Sequence, residues 1–124
     1  EKAGQEADSP SALALLPRTV VERITRRIRG LSRPARAFVT AASALPPGTP
    51  RALVERLAGC ASGHTGGDGP AEECVRSGLV SIRSHPGSVE PCGQLVRHVA
   101  LGLLSAERRR DLERRATEVL RAAG

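Results

Sequence analysis

The fold is decided by residues 79–91, which read Leu79-Val80-Ser81-Ile82-Arg83-Ser84-His85-Pro86-Gly87-Ser88-Val89-Glu90-Pro91. Leu79, Val80 and Ile82 predict a short strand, because β-branched and other apolar residues favour extended backbone. Residues 85–88 place proline and glycine at the second and third positions of a type II turn. Val89 then begins a return strand, which Pro91 ends. The stretch therefore predicts a small two-stranded β-ribbon.

Two amphipathic helices are predicted at the start of the globular part. The first carries an apolar repeat at helical spacing and ends at Gly30. That repeat consists of Val20, Val21, Ile24, Ile28 and Leu31. The second helix begins after Ser32 as its N-cap, has Pro34 in its first turn, and ends before Pro46 and Pro47. Its expected buried residues are Phe38, Ala41, Ala42 and Leu45.

A third helix is predicted with Thr49 as its cap and Pro50 at the first helical position, and it ends at Gly59. The glycine-rich residues 62–69 follow. They are interpreted as a surface loop, because they lack the Lys-Ser/Thr ending of a phosphate-binding P-loop. A short helix over residues 70–77 then leads into the ribbon.

Two more helices follow the ribbon, over residues 94–104 and after a Ser105 cap. The first of them is apolar around most of its circumference, so we expect it to be central. The predicted fold class is mainly α: a winged-helix domain, with a three-helix core and the two-stranded β-ribbon, followed by appended C-terminal helices. The boundaries are a flexible lead-in at 1–15, the winged-helix domain at 16–91 and the helical pair at 92–124.

Positive charge is concentrated near the start of the chain. The formal net charge is +6, and residues 18–36 contain one glutamate and seven arginines: Arg18, Arg23, Arg26, Arg27, Arg29, Arg33 and Arg36. On the first helix Arg26 and Arg29 project opposite the apolar stripe, and Arg23 and Arg27 flank it. Such a face either meets phosphates or an acidic protein surface, or is simply solvated.

The three cysteines, Cys60, Cys74 and Cys92, do not form a disulfide framework, because their number is odd and their spacing irregular. They fit a reduced, cytoplasmic setting. A zinc site would have to combine them with His64, which gives one loose ligand pair where structural zinc uses two close ones. The sequence therefore predicts no metal site.

Composition excludes several function classes. Phe38 is the only aromatic ring besides three histidines, which argues against holding bases or sugars by aromatic stacking. No apolar run approaches the roughly 18 residues of a membrane span, so a membrane is not an expected partner. No nucleophile with an orienting base is identifiable, so the chain is predicted not to be an enzyme. Because it begins at Glu1 rather than Met, we expect it to be part of a longer protein.

Four motifs carry a likeness to a known family. They are Leu16-Pro17-Arg18-Thr19-Val20 with Arg26 to Phe38, then Ser77-Gly78-Leu79-Val80, then Leu95-Val96-Arg97, then Leu104 to Ala116. Their order and spacing over residues 16–123 resemble the segment after the ATPase module in the large ATP-binding regulators of the LuxR family. These are actinobacterial signal-transduction ATPases of the STAND type.

The resemblance implies a winged-helix arm that couples the nucleotide state of the ATPase module to transcription regulation. The ATPase module of the same chain would be its partner, and an oligomer is possible. This segment would bind no cofactor itself, whereas ATP or ADP is implied for the longer protein, as is DNA binding. Gly93 stands where the family pattern has a histidine, and Arg97 matches the pattern.

Two hypotheses therefore stand beside each other. In the first, a basic interdomain face faces the ATPase module and consists of Arg23, Arg26, Arg27, Arg29 and Arg97. In the alternative, the chain is a free-standing winged helix that binds DNA through Arg51 and Arg56 of the third helix and Arg83 of the wing. The third helix has no Asn, Gln or Lys to contact base edges, which favours the first hypothesis.

Overall fold

The computed structural model describes residues 18–59, 69–83 and 87–123, which contain six α-helices and three strands. In chain order the elements are α1 (Arg18–Arg29), α2 (Arg33–Ala44), β1 (Thr49–Pro50), α3 (Arg51–Ala58), α4 (Pro70–Arg76), β2 (Val80–Arg83), β3 (Ser88–Pro91), α5 (Gln94–Gly102) and α6 (Ala106–Ala123). The prediction of a mainly α fold with a small sheet is confirmed. The predicted lead-in at 1–15 and, except for Gly69, the loop at 62–69 lie outside the described residues.

Helix α2 lies at the centre of the molecule and packs against every other helix and against β3. Phe38 and Val39 on this helix are completely buried, and so is Ser43, whose hydroxyl donates to the carbonyl oxygen of Val39. The helix predicted to be central, α5, packs against α1, α2 and β3, but α2 contacts more elements than α5 does. The alanines of α2 explain the difference, since small side chains let neighbouring helices approach on several sides.

The predicted helix boundaries are confirmed at several caps. Ser32 is extended, and its Oγ accepts from the backbone N–H of Ala35 at 3.3 Å, which makes it the N-cap of α2. Ser105 caps α6 in the same way, accepting from the N–H of Arg108 at 3.2 Å. Gly78, just after α4, has a φ of +75°, the left-handed conformation that glycine adopts without strain.

The sheet has three antiparallel strands in the order β1-β3-β2, so it contains the predicted two-stranded ribbon and a third strand that was not predicted. Strand β2 pairs with β3 as expected, with Ile82 opposite Val89. The unexpected strand is β1, in which Thr49 lies opposite Val89 and Pro50 opposite Ser88. Gly87, in the predicted turn, has a φ of +82° and Ser88 begins β3, whereas His85 and Pro86 lie outside the described residues.

The predicted cap and first helical residue of α3 are therefore strand residues. Helical backbone is disfavoured for a residue that precedes proline, and this favours the extended conformation of Thr49. Its hydroxyl donates to the carbonyl oxygen of Pro46 at 2.6 Å instead of capping α3. Pro50 has no N–H and is tolerated because β1 lies at an edge of the sheet.

A single hydrophobic cluster contains residues from the helices that precede strands β2 and β3 in the sequence and from the two helices that follow them. Ile28 of α1, the buried residues of α2, and Val54 and Leu57 of α3 belong to it. Helices α5 and α6 contribute Val96, Val99, Ala100, Leu101, Leu112 and Ala116. The core therefore continues across residue 91.

Candidate functional site

Helix α1 presents the predicted basic face to solvent. The four arginines of this face, Arg23, Arg26, Arg27 and Arg29, are all exposed, and we call them the α1 basic face. Ile28 is the only buried residue of the helix, and Val20 near its start is 37% exposed. The guanidinium groups of α1 are therefore exposed to solvent, and so is part of its apolar stripe.

Arg97, the fifth residue of the predicted interdomain face, lies on α5, which packs against α1. It is half-buried on α5, and its Nη2 donates to the carbonyl oxygen of Leu45 at 3.3 Å, at the C-terminal end of α2. Arg97 also lines a small cavity of ≈ 290 Å³ together with Glu90, Gly93 and Gln94. Arg97 therefore differs from the four exposed arginines of α1 in being half-buried and bonded to the main chain of Leu45.

Arg51, predicted as a DNA contact in the alternative hypothesis, is engaged in ion pairs. Its Nε lies 3.0 Å from Oε2 of Glu55, and its Nη2 lies 2.8 Å from Oε2 of Glu72 on α4. The hydrogen bond from Arg51 lowers the pKa of the Glu72 carboxyl. The backbone N–H of Arg51 donates to the carbonyl oxygen of Gly87 at 2.9 Å. One residue thus connects α3, α4 and the turn between β2 and β3.

The other two predicted DNA contacts are exposed on the surface. Arg56 is exposed on α3. Arg83 is at the end of β2, its side chain is 72% exposed, and it lies 3.9 Å from Glu90 on the adjacent strand. Of the three predicted DNA contacts, Arg51 is therefore committed to two carboxylates, while Arg56 and Arg83 are exposed.

Helix α4 carries more acidic than basic residues. Its sequence has Glu72 and Glu73 in the first turn and Arg76 in the last. Ala71 and Cys74 are buried against the core, whereas Val75 is 43% exposed. The outer surface of α4 therefore combines carboxylates with an exposed apolar side chain.

Glu73 joins α4 to the N-terminus of α2. Its Oε2 accepts from the backbone N–H of Ser32 at 2.8 Å, and its Oε1 accepts from the Ser32 hydroxyl at 2.7 Å. These two hydrogen bonds lower the pKa of the Glu73 carboxyl. In a capping box the third helical residue supplies this carboxylate, but here that residue is Ala35. Glu73 completes the cap from another helix.

The two cysteines in the described ranges, Cys74 and Cys92, are thiols. Cys74 is buried, and its Sγ donates to the carbonyl oxygen of Ala35 at 3.1 Å. Cys92 is exposed at the end of the sheet, where partial burial and the charge of Glu90 raise the pKa of its thiol. Cys60 and His64 lie outside the described residues. Among the residues that the structure describes, no three potential ligands are grouped to hold a metal ion.

No family model matches the chain, and neither a curated protein nor a solved structure matches it. Within the described ranges, no helix has both the length and the apolar character needed to cross a bilayer.

Sequence reasoning missed the contacts that connect α4 to the rest of the molecule. Arg51, interpreted as a possible DNA contact, pairs with Glu72 from 21 positions away, and Glu73 reaches Ser32 across 41. Two adjacent glutamates in a seven-residue helix were the available signal. Their partners depend on how α3 and α4 meet, which spacing along the chain does not predict.

Proposed function

We propose that this chain is a non-catalytic winged-helix arm of a LuxR-family STAND ATPase. It couples the nucleotide state of the ATPase module to signalling through contacts within the same chain. The proposal joins the family resemblance to three features of the molecule: the order of its elements, the acidic character of α4, and the exposed α1 basic face.

The order of elements supports the winged-helix assignment. A winged helix has three helices, a short strand after the first of them, and a final pair of strands that forms the wing. The elements α2, β1, α3, α4, β2 and β3 follow this order, and the short strand pairs with the last strand, giving β1-β3-β2. In this assignment α4, not α3, occupies the position of the helix that enters the major groove.

The acidic character of α4 is the single observation that carries the choice of protein contacts over DNA. A recognition helix contacts bases and phosphates with Arg, Lys, Asn or Gln. On α4 the corresponding side chains are Glu72 and Glu73, which are bonded to Arg51 and Ser32. A carboxylate here repels phosphate, while the exposed Val75 suits a protein surface.

The α1 basic face supplies a surface of the opposite charge. Guanidinium groups form bidentate pairs with carboxylates, which makes arginine well suited to contacts between domains. Because Val20 is partly exposed beside these arginines, α1 can bury apolar area as well as pair charges. We assign the contact with the ATPase module to this helix.

The test is the double substitution Arg26→Glu and Arg29→Glu in the full-length protein. We expect loss of the nucleotide-dependent response, measured as the difference in transcriptional output between ATP-bound and ADP-bound forms. The matched control is Arg110→Glu with Arg121→Glu, which makes the same charge change on exposed residues of α6. An unchanged response in the α1 variant overturns the proposal.

DNA binding by the chain itself provides a second readout. We expect fluorescence anisotropy to detect only weak binding to duplex DNA, independent of its sequence and falling steeply with salt. Sequence-selective nanomolar binding near physiological ionic strength would favour the alternative, a free-standing DNA-binding winged helix.

A further inference from the structure

A second basic surface lies beside the C-terminal end of α1 and is lined by residues other than those of the α1 basic face. It is a groove of ≈ 1140 Å³ between α2, the end of α3, and the first half of α6. Four arginines line it, Arg33 and Arg36 from α2 and Arg108 and Arg115 from α6. We call it the arginine groove. Since its residues come from three separate segments, no single stretch of sequence indicates it.

Two of the four guanidinium groups are held in place by main-chain carbonyls. Arg36 donates to the carbonyl oxygen of Arg29 at 3.3 Å and to that of Leu31 at 3.4 Å. Arg115 donates to the carbonyl oxygen of Leu57 at 3.1 Å, near the C-terminal end of α3. These hydrogen bonds use Nη2 of each group, and Nη1 of Arg115 also lies 3.8 Å from Oδ2 of Asp111, so that Arg36 keeps more N–H donors for a ligand than Arg115 does.

The other two guanidinium groups have no hydrogen bond or ion pair to a residue in the part of the chain that the structure describes. They belong to Arg33, in the first turn of α2, and Arg108, in the first turn of α6. The N-terminus of α6 adds partial positive charge to the groove, whereas that of α2 is already bonded to the Glu73 carboxylate. Of its two carboxylates, Asp111 already pairs with Arg114 and Arg115, which leaves Glu107. The groove therefore has an excess of unpaired positive charge.

Beneath the arginines the lining is apolar. Leu57 and Leu112 are buried, whereas Leu104, Ala37 and Ala58 are half-buried and reach the groove. Exposed cations over aliphatic side chains complement a ligand that has carboxylates and aliphatic groups together. Nucleic acid fits less well, because the lining contains no aromatic ring for stacking and does contain two carboxylates.

We propose that the arginine groove binds an acidic peptide segment of a partner protein, with glutamates or aspartates pairing with Arg33 and Arg108 and leucine-like side chains resting on Leu104 and Leu112. Recognition of acidic motifs by arginine clusters is a recurring mode of peptide binding. The inference uses a different surface from the proposed interdomain contact and stands independently of it.

The probe is a short fluorescein-labelled peptide with glutamate and leucine in helical spacing, titrated with the full chain and followed by fluorescence anisotropy at about 150 mM salt, where long-range attraction is screened. Arg33→Glu with Arg108→Glu should weaken binding at least about tenfold, or about 1.4 kcal/mol. The matched control, Arg110→Glu with Arg121→Glu, should change it by less than about threefold. Replacing the leucines of the peptide by serine should also weaken binding.

The charge-reversed chain is expected to fold. Acidic residues in a first helical turn are favourable, and glutamate at position 108 completes a capping box with Ser105. Arg33→Gln with Arg108→Gln provides a second variant, for which we expect intermediate affinity. Equal weakening by the groove and control variants, no binding of the peptide, or tighter binding of a single-stranded oligonucleotide that depends on Arg33 and Arg108 would each overturn the inference.

Discussion

At the scale of single residues, the contact between Glu73 and Ser32 shows how a helix cap is completed from elsewhere in the fold. Ser32 caps α2 and also donates twice to the Glu73 carboxylate, so that the serine is fixed from both sides. The sequence was sufficient to predict the cap, because a serine stands just before Arg33-Pro34. It was not sufficient to predict the carboxylate, which belongs to a helix 41 positions away.

The substitution Glu73→Gln should reduce the free energy of unfolding at neutral pH by about 1–2 kcal/mol, because it removes charge-assisted hydrogen bonds to the cap. The folded-state pKa of Glu73 is lowered, so its contribution is complete above the unfolded-state pKa of about 4.3. It is lost as pH falls through the lower folded-state pKa. Urea denaturation from neutral to acid pH should therefore show the two proteins converging in stability below about pH 4.

Glu118→Gln is the matched control for that experiment, because Glu118 is exposed on α6. This variant should follow the unsubstituted protein at every pH. A constant difference between the Glu73 variant and the unsubstituted protein down to the acid limit would mean that the carboxylate charge contributes nothing to the cap.

At the scale of elements, the sequence was sufficient to predict the long helices and the β2–β3 hairpin but not β1. Apolar periodicity and caps located α1 and α2 because both signals are local. Strand β1 has two residues, and its extended backbone is held by pairing with a strand nearly forty positions later. Thr49-Pro50 is also a good helix start, so local preference favoured the wrong element. The same locality explains why Arg51 was not predicted as a connecting residue.

Arg51→Ala should destabilise the protein by about 1–3 kcal/mol. Oε1 of Glu72 is already buried without a hydrogen-bond partner within the described structure, and the substitution also removes the partner of Oε2. The pKa of Glu72 should rise towards its ordinary value, since the hydrogen bond from Arg51 is the main cause that lowers it. Thermal unfolding should show the loss, while Arg56→Ala on the exposed side of α3 should leave the midpoint nearly unchanged. Equal midpoints for both variants would contradict a structural role for Arg51.

At the scale of the whole molecule, the order of elements suggests a domain boundary at residue 91, whereas the hydrophobic core extends across that residue. The predicted boundary at residue 91 separates a winged-helix domain from an appended helical pair, and it stays a prediction about organisation. The hydrophobic cluster makes no such division, since α2 packs against α5 and α6 as well as against α3 and α4. A fragment that ends at residue 91 would expose the side of the central helix that α5 covers.

We therefore expect residues 18–91 alone not to fold, whereas residues 18–123 fold cooperatively. Exposing a buried valine, leucine or phenylalanine costs about 1.5–3 kcal/mol. Because the net stability of a small domain is only about 5–15 kcal/mol, uncovering three such residues on α2 and its neighbours removes much or all of it. Circular dichroism melting and the dispersion of amide NMR signals provide the measurement. A cooperative transition and dispersed signals from the shorter fragment would show that the helices after the sheet are dispensable for folding, and that an arm built on this fold could move them as a separate body.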